Sequence, residues 1–211
     1  MQKVKVIKTS EYLKMDVHTK RNLELTESLR LKSRNYSLLW LLDKTKTAMG
    51  SRMLKNWIEN PLVDKNLINR RYDIVEKLLE EFILKEELKG LLFEVYDLER
   101  LVGRISYGNT NGRDLLQLKN SLKVLPEIKD ILKKLDFHSD IDTLSDLYDL
   151  LQSSIDDDAP ITIKDGGIIK SGYNEELDLL KENRSSGKDF VIKMETEERN
   201  RTGIKNLKVG K

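Results

Sequence analysis

Hydrophobic positions recur at helical spacing along most of the chain. Ile68, Tyr72, Val75, Leu79 and Phe82 step by four, three, four and three, and the residues between them are mostly Lys, Arg and Glu. That pattern predicts one long amphipathic helix with a single apolar stripe. Met49, Met53 and Trp57 lie four apart on a helix that starts near Thr47 and ends at Asn60-Pro61, because proline disfavours helix in the residue before it. The two methionines are expected to fill the core. Helical patterning begins near Asp16. The segment NYSLLWLLD (35–43) is apolar almost all round, which predicts burial with Trp40 in the core.

Further along, Asp97 is placed to cap a helix through Leu98, Leu101 and Ile105. The cluster Gly108-Asn109-Thr110-Asn111-Gly112 predicts a turn. Leu115, Leu118, Leu122 and Leu125 then keep heptad spacing, which suits a helix lying nearly antiparallel to a partner, and Pro126 interrupts it. Ile141, Leu144, Tyr148, Leu151 and Ile155 predict another helix with an aspartate-rich outer face. Residues 159–172, APITIKDGGIIKSG, carry β-branched residues on both sides of Asp165-Gly166-Gly167, the pattern of a small β-hairpin.

The last helix opens at Tyr173-Asn174-Glu175-Glu176, with two carboxylates at the positive end of its dipole. Its seam reads Leu177, Leu180, Arg184, Gly187, Val191, Met194, and residues 195–202 (ETEERNRT) contain no apolar side chain. A helix polar all round has nothing to pack on, so this one is expected to leave the body and project. Its distal half is expected to fray or to be covered by a neighbouring molecule. Gly187, which costs about 1 kcal/mol relative to Ala in a helix interior, is the candidate hinge. The fold class expected is all-α: a multi-helix bundle with one small hairpin and a long projecting arm. The organisation expected is a tail at 1–10 with a short strand pattern at Val4 and Val6, a helical core at 11–172, the arm at 173–201, and the start of another unit at 202–211.

Composition supports long helices with wide solvated faces: 35% of residues are charged and only three are proline. No apolar run approaches the roughly 20 residues of a membrane span. The chain has no cysteine, which excludes a thiol nucleophile and Cys-based zinc, and fits a reducing cytosol; a cytoplasmic location is expected. The net charge of +2 hides an asymmetry. Residues 140–158 carry seven aspartates and no Lys or Arg, whereas Arg199, Arg201, Lys205 and Lys208 lie in an acid-free tip. Those four are candidates for contacting nucleic-acid backbone.

Catalytic constellations are missing. There is no phosphate loop and no G-x-G-x-x-G. His18 and His138 are the only histidines, 120 positions apart. Asp156-Asp157-Asp158 lacks the spacing of a calcium loop and is expected to be solvated. No catalytic, cofactor-binding or metal residue is assigned.

Asp43-Lys44-Thr45-Lys46-Thr47-Ala48-Met49-Gly50-Ser51-Arg52-Met53-Leu54-Lys55-Asn56-Trp57-Ile58-Glu59-Asn60-Pro61-Leu62 closely resembles the core domain of bacterial MutS DNA mismatch repair proteins. Tyr12-Leu13 with Arg21-Asn22-Leu23-Glu24-Leu25 is similar to that domain's opening. Asp97-Leu98-Glu99-Arg100-Leu101 with Gly112-Arg113-Asp114-Leu115 is similar to its middle. Lys164 to Asp178, followed by Glu198-Arg199-Asn200-Arg201-Thr202-Gly203-Ile204 and Leu207-Lys208-Val209-Gly210, is similar to the rise into its lever and clamp. The resemblance implies a non-catalytic fragment of a dimeric ATPase that encircles DNA. In that family a helical hub sends out levers joining a DNA clamp to a distant ATPase domain. It also implies mismatched duplex DNA, a second MutS subunit and a MutL-type protein as partners of the whole protein. ATP and magnesium would then bind outside this chain. The mismatch-reading Phe-x-Glu, the phosphate loop and the rest of the clamp have no counterpart here. The alternatives are a free-standing helical scaffold and a weak, nonspecific nucleic-acid-binding module.

Overall fold

A computed structural model describes residues 11–137, 140–204 and 208. The described part is mainly helical: α1 (Val17–Asn22), α2 (Leu38–Leu42), α3 (Ala48–Glu59), α4 (Lys65–Glu80), α5 (Phe82–Phe93), α6 (Leu98–Ser106), α7 (Gly112–Lys123), α8 (Leu125–Lys134), α9 (Ser145–Ser154) and α10 (Glu175–Thr202). The tail at 1–10, His138 and most of 205–211 lie outside the described residues.

Polar side chains start most of these helices by satisfying backbone N–H groups that have no partner within the helix. Asp16, Ser37, Thr47, Asp64, Asp97 and Asn174 each accept from a first-turn amide. Asn111 and Asp114 form a reciprocal capping box at α7. Pro126 sits in the first turn of α8, where its missing N–H costs nothing. The stripe from Ile68 to Phe82 is split at Glu81 between α4 and α5.

The core sits in the second half of the chain. Leu101, Leu118, Leu122, Leu151, Ile155 and Ala159 form one buried cluster, with Leu98, Leu115, Leu147 and Ile168 packed around it. Val95, Val124 and Ile128 form a second, joined by Met49, Leu88 and Leu91. Helix α7 is the central rod, packed against α6, α8 and α9. At its first turn Gly112 meets the segment after α9 so closely that a Cβ there would lie 2.7 Å from Ala159 Cβ.

Four expectations are corrected. First, the hairpin over 159–172 does not form. Pro160 has no N–H to give, and Ile161 and Ile163 are exposed, so the first arm has neither ladder nor buried face to hold it. It closes instead in a 3-10 turn at Ile163–Asp165. The second arm pairs with the exit of α9: Asp156 N donates to Ile168 O at 2.9 Å, and Lys170 N to Ser154 O at 2.8 Å. Second, Trp40 is 46% exposed and stacks on Tyr36 at 5.3 Å; within α2 only Leu39 is buried. Third, Met49 reaches the core, but Met53 does not. Along α4, Tyr72, Val75 and Leu79 are exposed, while Leu67, Ile68 and Leu78 are half-buried. Trp57 instead carries Arg71, 3.6 Å from its ring centre. Periodicity locates an apolar face; it does not say whether this chain covers it. Fourth, α10 does not break off in its distal half but runs to Thr202, where Gly203 ends it in the left-handed region at φ 72°. Intrahelical pairs Arg199–Glu195 (3.1 Å) and Arg201–Glu198 (2.8 Å) accompany its polar end, and bases in the last turn suit the helix dipole.

Replacing Gly112 by Ala should overpack the α7 contact with Ala159 and cost about 1–3 kcal/mol. A lowered midpoint in urea unfolding with an unchanged slope is the expected result.

Candidate functional site

The sequence motifs meet one another in space, and what they build is a set of fasteners. Asp43 accepts from Ser51 Oγ at 2.5 Å and from Thr45 Oγ1 and N at 2.6 and 3.0 Å, and it pairs with Arg34. Burial opposes its charge, but these donors outweigh burial and hold its carboxyl well below the usual carboxylate range. Thr47 caps α3 through Gly50 N at 3.0 Å. Arg52, one turn into α3, reaches α6 and its cap: it donates to both Asp97 oxygens at 2.7 and 2.8 Å and to Glu99 at 2.5 and 2.9 Å. The first long motif is thereby clamped to the Asp97–Leu101 stretch through a forked guanidinium, a geometry lysine does not offer. The side chain of Asp114, in the Gly112–Leu115 stretch of the same middle motif, is 6% exposed and faces Arg104 on α6 at 2.9 Å.

The fourth motif roots the arm. Lys119 on α7 has a side chain only 7% exposed, and its ammonium meets Asp157 Oδ1 at 2.5 Å. The other Asp157 oxygen lies 3.3 Å from Lys170 Nζ, which also donates to Gln152 O at 3.1 Å. On the far side of the segment 168–172, a strap between α9 and α10, Lys181 Nζ from α10 donates to Ile169 O at 2.9 Å. Asp178 Oδ2 accepts from Gly172 N at 2.7 Å. A polar chain thus runs from the central rod through the strap into the first two turns of α10. Lys119 lies four residues after Leu115 and three before Leu122, on the stripe side of its helix. A cation at that register was the sequence signal for this chain, and it went unread. Asp157 is not the merely solvated loop residue expected.

The candidate DNA-facing residues are only partly brought together. Arg199 and Arg201 lie in the last turn of α10, paired with Glu195 and Glu198. Lys208 is exposed, and Lys205 lies outside the described residues. Gly187 sits mid-helix with nothing within 4 Å of where a Cβ would stand. His18 is exposed. Among the described residues no group of three or more His, Asp or Glu is arranged to hold a metal, and no helix is long and apolar enough to cross a membrane.

Fold and fasteners together define a mainly helical hub that ends in a 28-residue helix. The chain belongs to the MutS domain III family, whose model matches residues 18–201. It is 49% identical over 216 residues to the DNA mismatch repair protein MutS of Geobacillus sp. (strain WCH70), covering 100% of this chain and 25% of that protein. Against the MutS of Clostridium tetani (strain Massachusetts / E88) identity is 52% over 206 residues, covering 95% and 23%. Against that of Staphylococcus carnosus (strain TM300) it is 48% over 214 residues, covering 99% and 25%. The chain spans about a quarter of the length of these relatives.

Arg52 holds the Asp97 carboxyl below its ordinary value of 3.8, and Lys119, then Lys170, do the same for Asp157. A carboxylate with a depressed folded pKa contributes stability that is present above its unfolded pKa and is lost as pH falls through the folded value. The melting temperature should therefore hold steady from pH 7 to 5 and drop below about pH 4. Arg52→Met should lower it at pH 7 and shrink the drop on acidification.

Proposed function

We propose that the chain is the non-catalytic core and arm of a MutS-type mismatch-repair ATPase, with α10 linking a DNA-gripping clamp to a distant ATPase domain. The observation that carries this reading is α10 itself. Its 28 residues span about 42 Å at 1.5 Å each. It is tied to the body at its root by Asp178 and Lys181, and Leu179, Leu180, Phe190, Ile192 and Met194 are all exposed. A hydrogen-bonded rod held at one end carries displacement to the other, which is what coupling two separated sites requires.

The relatives' name, DNA mismatch repair protein, supports mismatched duplex DNA as the substrate of the whole protein, in the cytoplasm. A second copy of that protein and a MutL-type protein are its partners in this reading. ATP and magnesium bind elsewhere in that protein, and this chain supplies neither nucleophile nor nucleotide cradle. Gly187 is the hinge of the arm; Gly187→Ala should raise helicity by circular dichroism, and no change would remove that role.

The second reading, a nucleic-acid-binding module acting through Arg199, Arg201, Lys205 and Lys208, is weakened by the intrahelical pairing of its two arginines. Two assays on this chain separate the readings. ATP turnover should stay at background, and duplex DNA should bind weakly at physiological salt. Clear turnover would contradict the non-catalytic role. Tight binding with a salt slope of about four phosphates would favour the nucleic-acid module instead.

A further inference from the structure

We propose that Lys119 and Asp157 are positioning residues that set the angle at which α10 leaves the bundle. The angle needs a cause. At its root α10 meets the body through the strap 168–172: Lys181 donates to Ile169 O and Asp178 accepts from Gly172 N. The strap is held in turn on its other side. Two backbone hydrogen bonds tie it to the exit of α9. Its Lys170 ammonium is shared between Gln152 O and Asp157. Asp157 is anchored to the body by Lys119. Asp157 is thus one of the groups that hold the surface on which α10 is seated, beside the backbone bonds to the exit of α9.

The two partners are unequal. The Lys119 side chain is 7% exposed and that of Asp157 is 63% exposed. A buried ammonium without a carboxylate is costly, whereas an apolar side chain of similar length in its place is tolerated. Among the described residues Asp157 is the only ion-pair partner of Lys119. The loop 156–158 is therefore drawn to one place by a charge it cannot leave unpaired. Two lysines converge on one carboxylate, which adds a polar link between the rod and the strap to the packing of Ile168 and Ile169 on the leucine cluster.

This asymmetry separates positioning from stability. Lys119→Met removes the buried charge together with its tether; it should keep the fold and free the strap. Asp157→Asn leaves the buried ammonium without its partner; it should lower the melting temperature and free the strap. The double variant should regain stability and still leave the arm loose. Lys119→Arg keeps the charge and should keep the angle.

The chain has no cysteine, so paired spin labels can be placed at will. Labels at Lys129→Cys on α8 and Glu197→Cys on α10 both sit on exposed positions. Their distance distribution should be narrow in the otherwise unchanged chain and in Lys119→Arg. In Lys119→Met and in the double variant it should shift or become about twofold broader. A second pair with the arm label at Glu182→Cys, before Gly187, separates movement at the root from bending at that glycine. An unchanged distribution in Lys119→Met would overturn the proposal. So would a change confined to Asp157→Asn, which would mark the pair as merely structural. The measurement needs neither DNA nor ATP, so its outcome is independent of whether the arm transmits anything in the whole protein.

Discussion

A buried cation that must be paired governs how the arm meets the body. Lys119 stands on the inward side of the central helix, next to a leucine cluster, where an ammonium is tolerated only against a carboxylate. Asp157 supplies that carboxylate from a loop, and the loop is thereby fixed against α7. Residues 168–170 then pair with the end of α9, and α10 is seated on them. The direction of a helix spanning about 42 Å follows from contacts within its first two turns.

The rest of the molecule makes that root stiff. Arg52 clamps α3 to α6, Asp114 joins α6 to α7, and Gly112 lets the strap approach α7 closely. Each of these residues belongs to a motif on which the resemblance to MutS rested. They hold the hub together through ion pairs and close packing. A hub built this way suits a part whose work is to keep geometry.

Much of this was legible in the sequence. Helix starts near Thr47 and Asn174, the cap at Asp97 and the break at Pro126 were all readable. The turn before Gly112 and a long last helix were readable for the same reason: the signals are local. What failed was non-local. The β-branched residues flanking Asp165-Gly166-Gly167 look like two arms of a hairpin, yet the second arm found the exit of α9 as a better partner. Trp40, Tyr72, Val75 and Leu79 form stripes that this chain does not cover, in a chain that spans about a quarter of its relatives. Ion pairing between positions 119 and 157 is 38 residues apart in sequence, and no spacing rule reaches that far.

Helix α10 is held at its root by Asp178 and Lys181, which bond the backbone of the strap 168–172. Amide hydrogen exchange resolved along α10 tests this most directly. The account predicts the slowest exchange of the helix at residues 177–182, with protection falling steadily toward Thr202. Uniform protection along the helix, or a root that exchanges faster than its tip, would contradict it.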